Sequence, residues 1–388
     1  MMKVNKYDTI SAFCSPTEMG ALLVPSATFE ATSLDVGRIR SEDKLLKDFQ
    51  SELKKYINNR DESITISYKT KDRNARDVMD RLYREFNKIL DVDDYKKHNI
   101  LSTRYYVEGI PGDYRFKMLV KYRELKGQKH HVKVQAKGII ESIIKPGMDE
   151  HEKVKAIYDY VLIYIHYDTS HQMFTLYEAL ANRPGFLHGY TLLTYELLKA
   201  AGIQNYFISG KNKVNKVDHA WNLVNIEDKW YHLDTTFNDP IQGKPICQTY
   251  TYFNMSDEQL SKDHEWDRSK YPSATTSYFN ELTNKIKAGS SKTLVYKQML
   301  KETNLRYLSA EYGVENYGEL KRKLQQQFAS KPDEVEVRYK QSMKETMLEV
   351  ETLLNEITLP KDAKRISYKV VPYSEMSGYS IVRITFTY

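Results

Sequence analysis

Between Arg183 and Pro240 the chain reads RPGFLHGYTLLTYELLKAAGI, a short connector, then DHAWNLVNIEDKWYHLDTTFNDP. The first half opens on Pro184-Gly185, a pair that favours a tight turn, and continues as an amphipathic helix of about three turns. Leu192, Leu193, Leu197 and Leu198 recur at helical spacing, and Gly202 stands just past the end, where a left-handed cap is wanted. The second half predicts a β-hairpin, because two runs rich in Trp, Val, Ile and Tyr flank Glu227-Asp228.

With those two residues as the turn, Ile226 pairs with Lys229 and Trp221 falls opposite Asp234. His219 then lies diagonally across from Asp234 on the same face, since side chains alternate along a strand. A histidine held against a carboxylate is the base and orienter of a nucleophilic triad. The place for the nucleophile is the start of the preceding helix, where the dipole and free N–H groups depress a thiol pKa.

These blocks resemble the transglutaminase-like, papain-like superfamily in its bacterial form. Its signature is a glycine-X-cysteine-X-glycine-tyrosine turn entering a helix, then His-Ala-Trp-Asn, then an aspartate strand ending Asp-Pro. Here Gly185-Phe186-Leu187-His188-Gly189-Tyr190 fits the first block, His219-Ala220-Trp221-Asn222 the second, and Leu233-Asp234 through Asp239-Pro240 the third. The resemblance runs from Asp149 to Trp266. It implies an α+β fold whose core packs the nucleophile-bearing helix on an antiparallel sheet. It also implies catalytic positions at Leu187, His219 and Asp234, and a ligand cleft with His188, Tyr190, Trp221 and Asn222.

The decisive position departs from the pattern, because Leu187 stands where the family has its cysteine. Leucine has no lone pair to attack a carbonyl, so no acyl-enzyme can form there. Cys14 lies near the N-terminus, Cys247 follows the Asp234 strand by several residues, and Thr191 and Ser209 have no positional argument for activation. The resemblance thus implies the fold without the reaction: a pseudoenzyme that binds a peptide, a protein or a cell-wall polymer through the old cleft. The alternatives are a cysteine-type transamidase or peptidase with a displaced nucleophile, for which only Cys247 could serve, and a structural surface protein.

His219, His232 and Asp234 share a strand face and could in principle hold zinc. Triad ancestry accounts for His219 and Asp234 more simply, leaving His232 incidental, so no metal and no cofactor is expected. The acidic run Asp91–Asp94 lacks the glycine and spacing of a calcium loop and reads as a solvated turn.

The 388 residues allow two or three domains with proper cores, and 41% hydrophobic with 28% charged residues is ordinary globular composition. A net charge of +6 with 52 acidic residues interleaved gives no long basic block, so nucleic-acid binding is not expected. The 31 tyrosines suit amphipathic sheet faces, which fill a fold or meet polar ligands. Two cysteines make no disulfide framework, and no segment approaches the ~18–20 apolar residues of a membrane span. Residues 1–40 read as a leader, either a degraded export signal or a disordered tail, signal-like in the lysines and short apolar core but interrupted by Asp8, Pro16 and Glu18. A secreted or cell-surface location goes with the first reading, and the cytoplasm is the alternative.

Two small modules flank the core. Residues 41–128 read αβαββ: a helix on Leu45, Phe49, Leu53, Tyr56 and Ile57, a strand on Ile64, Ile66 and Tyr68, a helix on Val78, Leu82, Phe86 and Ile89, then strands Leu101–Val107 and Tyr114–Tyr122. Residues 316–388 repeat that grammar, with Leu320, Leu324 and Phe328 on the helix and Val335, Val337 and Tyr339 on the strand. Aligning Gly112 with Gly378 sets Phe116 against Val382 and Met118 against Ile384. The core, 129–272, is expected to begin with a basic strand at His130–Ala136 and a helix capped by Asp149 and Glu152. Residues 273–315 read as a helical connector broken at Gly289-Ser290-Ser291.

Overall fold

The computed structural model describes residues 41–164, 166–167, 175–177, 180, 184–185, 187–237, 250–360 and 362–388, with two short strands nearer the N-terminus. The chain divides into two compact units, Met1–Gln248 with Ser256–Thr275, and Thr249–Met255 with Thr276–Tyr388.

In the first unit, strands β1 (Val4–Asp8) and β2 (Leu22–Leu23) come from the segment expected to be a leader. β1 lies antiparallel along Thr103–Val107, where the backbone of an edge strand is open to pairing. Helix α1 (Glu42–Asn59) buries Phe49, Leu53 and Ile57, one residue per turn, and ends on Arg60 in the left-handed region. Strand β3 (Ser63–Lys69) alternates strictly, with Ile64, Ile66 and Tyr68 inside. Helix α2 (Ala75–Asp91) presents Val78, Leu82, Phe86 and Ile89 to the same core. Burying each such side chain contributes ~1.5–3 kcal/mol. The short α3 (Asp94–Asn99) leads into β4 (Ile100–Ile110) and β5 (Asp113–Tyr122), a hairpin turned at Gly112 with φ 94°. The sheet order is β2-β1-β4-β5-β3.

Two local expectations are corrected here. The run read as a basic strand is the middle of helix α4 (Lys126–Ile143). Val132 and Ala136, four residues apart, are buried, while Val134 is 55% exposed. The valine alternation suggested a strand, but only one helical stripe of the segment is wanted by the core. The acidic run is not wholly solvated either. Asp93 caps α3, and the buried Asp94 accepts from the Ser209 N–H at 2.9 Å and from the Tyr271 hydroxyl. These donors are more than a hundred residues away, so the local sequence carries no sign of them.

The core begins with α5 (Glu150–Tyr164), whose Asp149 and Glu152 exchange backbone N–H bonds in a capping box at 2.9 and 3.0 Å. In place of the turn expected at Pro184-Gly185, β6 (His166–Tyr167) and β7 (Pro184–Gly185) form a two-residue parallel pair. Helix α6 (Leu187–Ala200) follows and ends at Gly202, φ 76°, with the Ile203 N–H closing on the Leu198 carbonyl. Strands β8 (Asn205–Asn212), β9 (Asp218–Ile226) and β10 (Lys229–Leu233), helix α7 (Asp257–Leu260) and β11 (His264–Glu265) complete it. The sheet runs β10-β9-β8-β11, all antiparallel. Glu227 and Asp228 both take positive φ, 49° and 63°, as a two-residue hairpin turn with right-handed strand twist requires.

The second unit holds α8 (Tyr278–Ala288), α9 (Thr293–Glu302), β12 (Gly313–Val314), α10 (Tyr317–Phe328), β13 (Glu334–Tyr339), α11 (Met343–Glu356), β14 (Arg365–Pro372) and β15 (Ser380–Thr387). Gly289 caps α8 at φ 72°. The sheet order is β12-β13-β15-β14. In it the last strand lies between the other two of the αβαββ set, as β5 lies between β4 and β3. The registers also correspond: Ile64, Ile66 and Tyr68 face Met118, Phe116 and Tyr114, while Val335, Val337 and Tyr339 face Ile384, Val382 and Ser380. The fold is α+β, helices packed on largely antiparallel sheets. No helix among the described residues is long and apolar enough to cross a membrane.

Candidate active site

The site is built on β9, which is hydrogen-bonded to the first turns of α6, with Asp234 brought from the end of β10 and His264 from β11. His219 occupies β9 and Asp234 directly follows β10; both are buried. The observed register, Leu233 against Asn222, brings them together, and His219 Nε2 lies 2.6 Å from Asp234 Oδ2. A ring that gives its Nε2–H to a carboxylate keeps its lone pair on Nδ1, the tautomer a general base needs. Phe237 stacks on the His219 ring at 4.2 Å between centroids.

Asp234 is fully satisfied. Its Oδ1 accepts the backbone N–H groups of Thr236 and Phe237 at 2.9 and 3.2 Å. Its Oδ2 also meets His264 Nε2 at 3.0 Å, and His264 Nδ1 meets Asp263 Oδ1 at 2.6 Å. Burial pushes the Asp234 carboxyl up, but the charges and hydrogen bonds of His219 and His264 outweigh it and hold the group well below the usual carboxylate range. For His264 burial works downward, and the two carboxylates override it, raising the imidazole to about 9. At neutral pH His264 is therefore an imidazolium locked between Asp234 and Asp263.

His264 is absent from the expected site. The sequence marks it only by the run DHEWD, and it arrives through β11, whose His264 pairs with Asn212 of β8. His232, weighed as a partner of the dyad, is engaged elsewhere. The Trp221 indole N–H donates to its Nδ1 at 3.0 Å, and its Nε2 donates to Asp257 Oδ1 at 2.7 Å. A ring that accepts at Nδ1 is neutral, and burial lowers the His232 pKa despite Asp257. At this site the three side chains whose ligand atoms lie within 4.8 Å of one another are His219, Asp234 and His264, not His232. Both histidines already close on one carboxylate oxygen, so hydrogen bonding accounts for the cluster.

The first turns of α6 are tied to β9 beside His219. The Thr191 hydroxyl donates to the Ala220 carbonyl at 2.8 Å, and Asn222 Nδ2 donates to the Thr191 carbonyl at 3.2 Å. Leu187 is the first residue of this helix, the position sequence analysis gave to the nucleophile. The side chains of Leu187 and His188, and Cys247, lie outside the described residues. Tyr190, Trp221 and Asn222, expected to line a cleft, are fully buried. Trp221 and Asn222 lie on β9, which is held between β10 and β8, and Tyr190 lies on α6; among the described residues all three are interior.

Residues 137–235 match the family profile described as the transglutaminase-like superfamily, so this segment is a transglutaminase-like domain. The chain is 23% identical over 173 residues to human kyphoscoliosis peptidase, a match that takes in 38% of this chain and 26% of that protein. It therefore spans about a quarter of the length of that relative. Among solved structures, a Cytophaga hutchinsonii protein assigned as a cysteine protease aligns at TM-score 0.25 and 16% identity, covering 36% of this chain and 58% of that one. A structure described as a TGase aligns at TM-score 0.24 and 16% identity, covering 50% and 56%.

Proposed function

We propose that this protein is a transglutaminase-like pseudoenzyme, silent in acyl transfer, that binds a peptide, a protein or a cell-wall polymer. The observation that carries the reading is Leu187 as the first residue of α6, where the family's signature has cysteine. A helix start beside a His–Asp dyad supplies everything for thiolate chemistry except the thiol. The dyad also has a structural use, because removing Asp234 would take the buried acceptor from both His219 Nε2 and His264 Nε2, at about 1–3 kcal/mol. Retention of His219 and Asp234 is thus compatible with loss of the reaction.

The shared strand order and register of the two αβαββ sets support reading them as copies of one module. Recognition or spacing is the role proposed for them, at a secreted or cell-surface location. The test of the central reading is an assay of the natural chain for amine incorporation and amide hydrolysis on a peptide panel. No turnover is expected, and turnover abolished by His219→Ala would overturn the proposal.

A further inference from the structure

Away from the dyad, a cavity of about 100 Å³ opens among the end of α1, α3, β5 and the helices α4 and α6. Tyr95, Tyr122 and Tyr195 form its walls, and Arg60, Lys129 and Lys199 bring positive charge to it. That volume accommodates a few waters or one small oxyanion.

Arg60 is the informative residue. Its side chain is 3% exposed, its guanidinium lies 5.4 Å from the centroid of the Tyr122 ring, and its Nη2 stands 3.5 Å from Glu124 Oε2. The buried Nη1 has no hydrogen-bond partner among the described residues. An orphaned donor on a buried cation is rare in folded proteins and marks a place where a water or an ion completes the shell.

The neighbouring carboxylates leave Nη1 without a bond among the described residues. Asp93 is engaged with Lys96 at 2.5 Å, and Glu196 accepts the Tyr95 hydroxyl at 2.7 Å. Burial pushes the Glu124 carboxyl up in spite of Arg60. The Lys129 ammonium donates to the Asn58 carbonyl at 3.2 Å. Burial first, then repulsion from Arg60, Lys133 and Lys199, brings its ammonium down to about 8. The cations are thus gathered against their own repulsion around an opening with an unused donor.

We propose that this cavity is a binding site for a small oxyanion, a phosphate or carboxylate group, seated between Arg60 and Lys129 against the tyrosine walls. The planar guanidinium supplies directed donors, the ammonium a point charge, and the tyrosine walls shield part of the cavity from solvent. The site is independent of the reading of Leu187, although α6 joins the two places.

The test is calorimetric titration of the full-length protein with inorganic phosphate and, separately, with acetate, at constant ionic strength set by chloride. Saturable binding of at least one anion is expected. Phosphate alone saturating marks a phosphate site, and acetate alone a carboxylate site; either supports the proposal. Lys129→Met should weaken binding about tenfold or more, while Lys137→Met, on the same helix with its side chain 76% exposed, should leave it unchanged. Arg60→Gln should abolish binding. If that variant does not fold, the half-buried Lys129 decides the matter. No saturable binding to the folded natural chain, or equal affinity in Lys129→Met, overturns the proposal.

Discussion

His264 reaches Asp234 from the far edge of the core sheet and shares with His219 the same carboxylate oxygen, 3.0 Å from its Nε2. Asp234 is thus the centre of a relay that runs Asp263, His264, Asp234, His219. The pairing ties stability to pH. The folded His264 pKa, about 9, lies above the ordinary 6.5, so its contribution is complete below about pH 6.5 and is lost as pH rises through 9. The loss is at most about 3 kcal/mol. Urea melts between pH 6 and 10 should show the decline, and His264→Gln should flatten it. An unchanged alkaline slope in that variant would show that His264 does not carry the effect. At the acid end the lowered Asp234 pKa gives stability that is present above the ordinary carboxylate pKa and lost as pH falls through the folded one.

Gly210 stands directly opposite His219 in the β8–β9 ladder. A Cβ there would lie 2.4 Å from the Glu265 carbonyl oxygen and 2.5 Å from the Trp221 ring. Neither backbone of β11 nor the buried indole can yield cheaply. Gly210→Ala should cost about 1–3 kcal/mol and shift Trp221 and His264 together. Denaturant midpoints and the near-ultraviolet tryptophan signal check this, and wild-type values for both would contradict it.

In the second unit Glu336 Oε1 accepts from the Tyr307 hydroxyl, Arg306 Nη2 and Arg383 Nε at 2.7, 2.8 and 2.7 Å. Burial raises this carboxyl, and those donors outweigh it, holding the group below its ordinary value. Glu336→Gln should destabilise the unit by about 2 kcal/mol, less than for a fully buried pair because Arg383 is 41% exposed. Chemical denaturation of the variant is the measurement. A change within about 0.5 kcal/mol, the range of ordinary surface substitutions, would mean that solvent replaces the carboxylate.

Local periodicity made much of this fold legible. The i, i+4 stripe Phe49-Leu53-Ile57, the alternation Ile64-Ile66-Tyr68 and the hairpin centred on Glu227-Asp228 are encoded within a few residues of themselves. The hairpin register in turn gave the His219–Asp234 contact, because fixing the turn fixes every pair beyond it. Where two periods overlap, the reading fails. Residues 130–136 alternate valines like a strand, yet Val132 and Ala136 define a helical face. His264's place at the site and the burial of Asp94 have another cause: Asp234 lies 30 residues from His264, and the donors to Asp94 lie more than a hundred residues from it. No local pattern records a contact made by tertiary closure.

If the dyad is intact and only the nucleophile is missing, a thiol restored at Leu187 restores turnover. The direct measurement compares the natural chain with Leu187→Cys for amine incorporation and amide hydrolysis, alongside the pH dependence of thiol alkylation in the variant. The expected result is a silent natural chain and a variant that turns over, with alkylation extending below the ordinary thiol range, near pH 8.5, and returning to it in Leu187→Cys with His219→Ala. Silence in both proteins with an unperturbed thiol, or turnover by the natural chain itself, would contradict it.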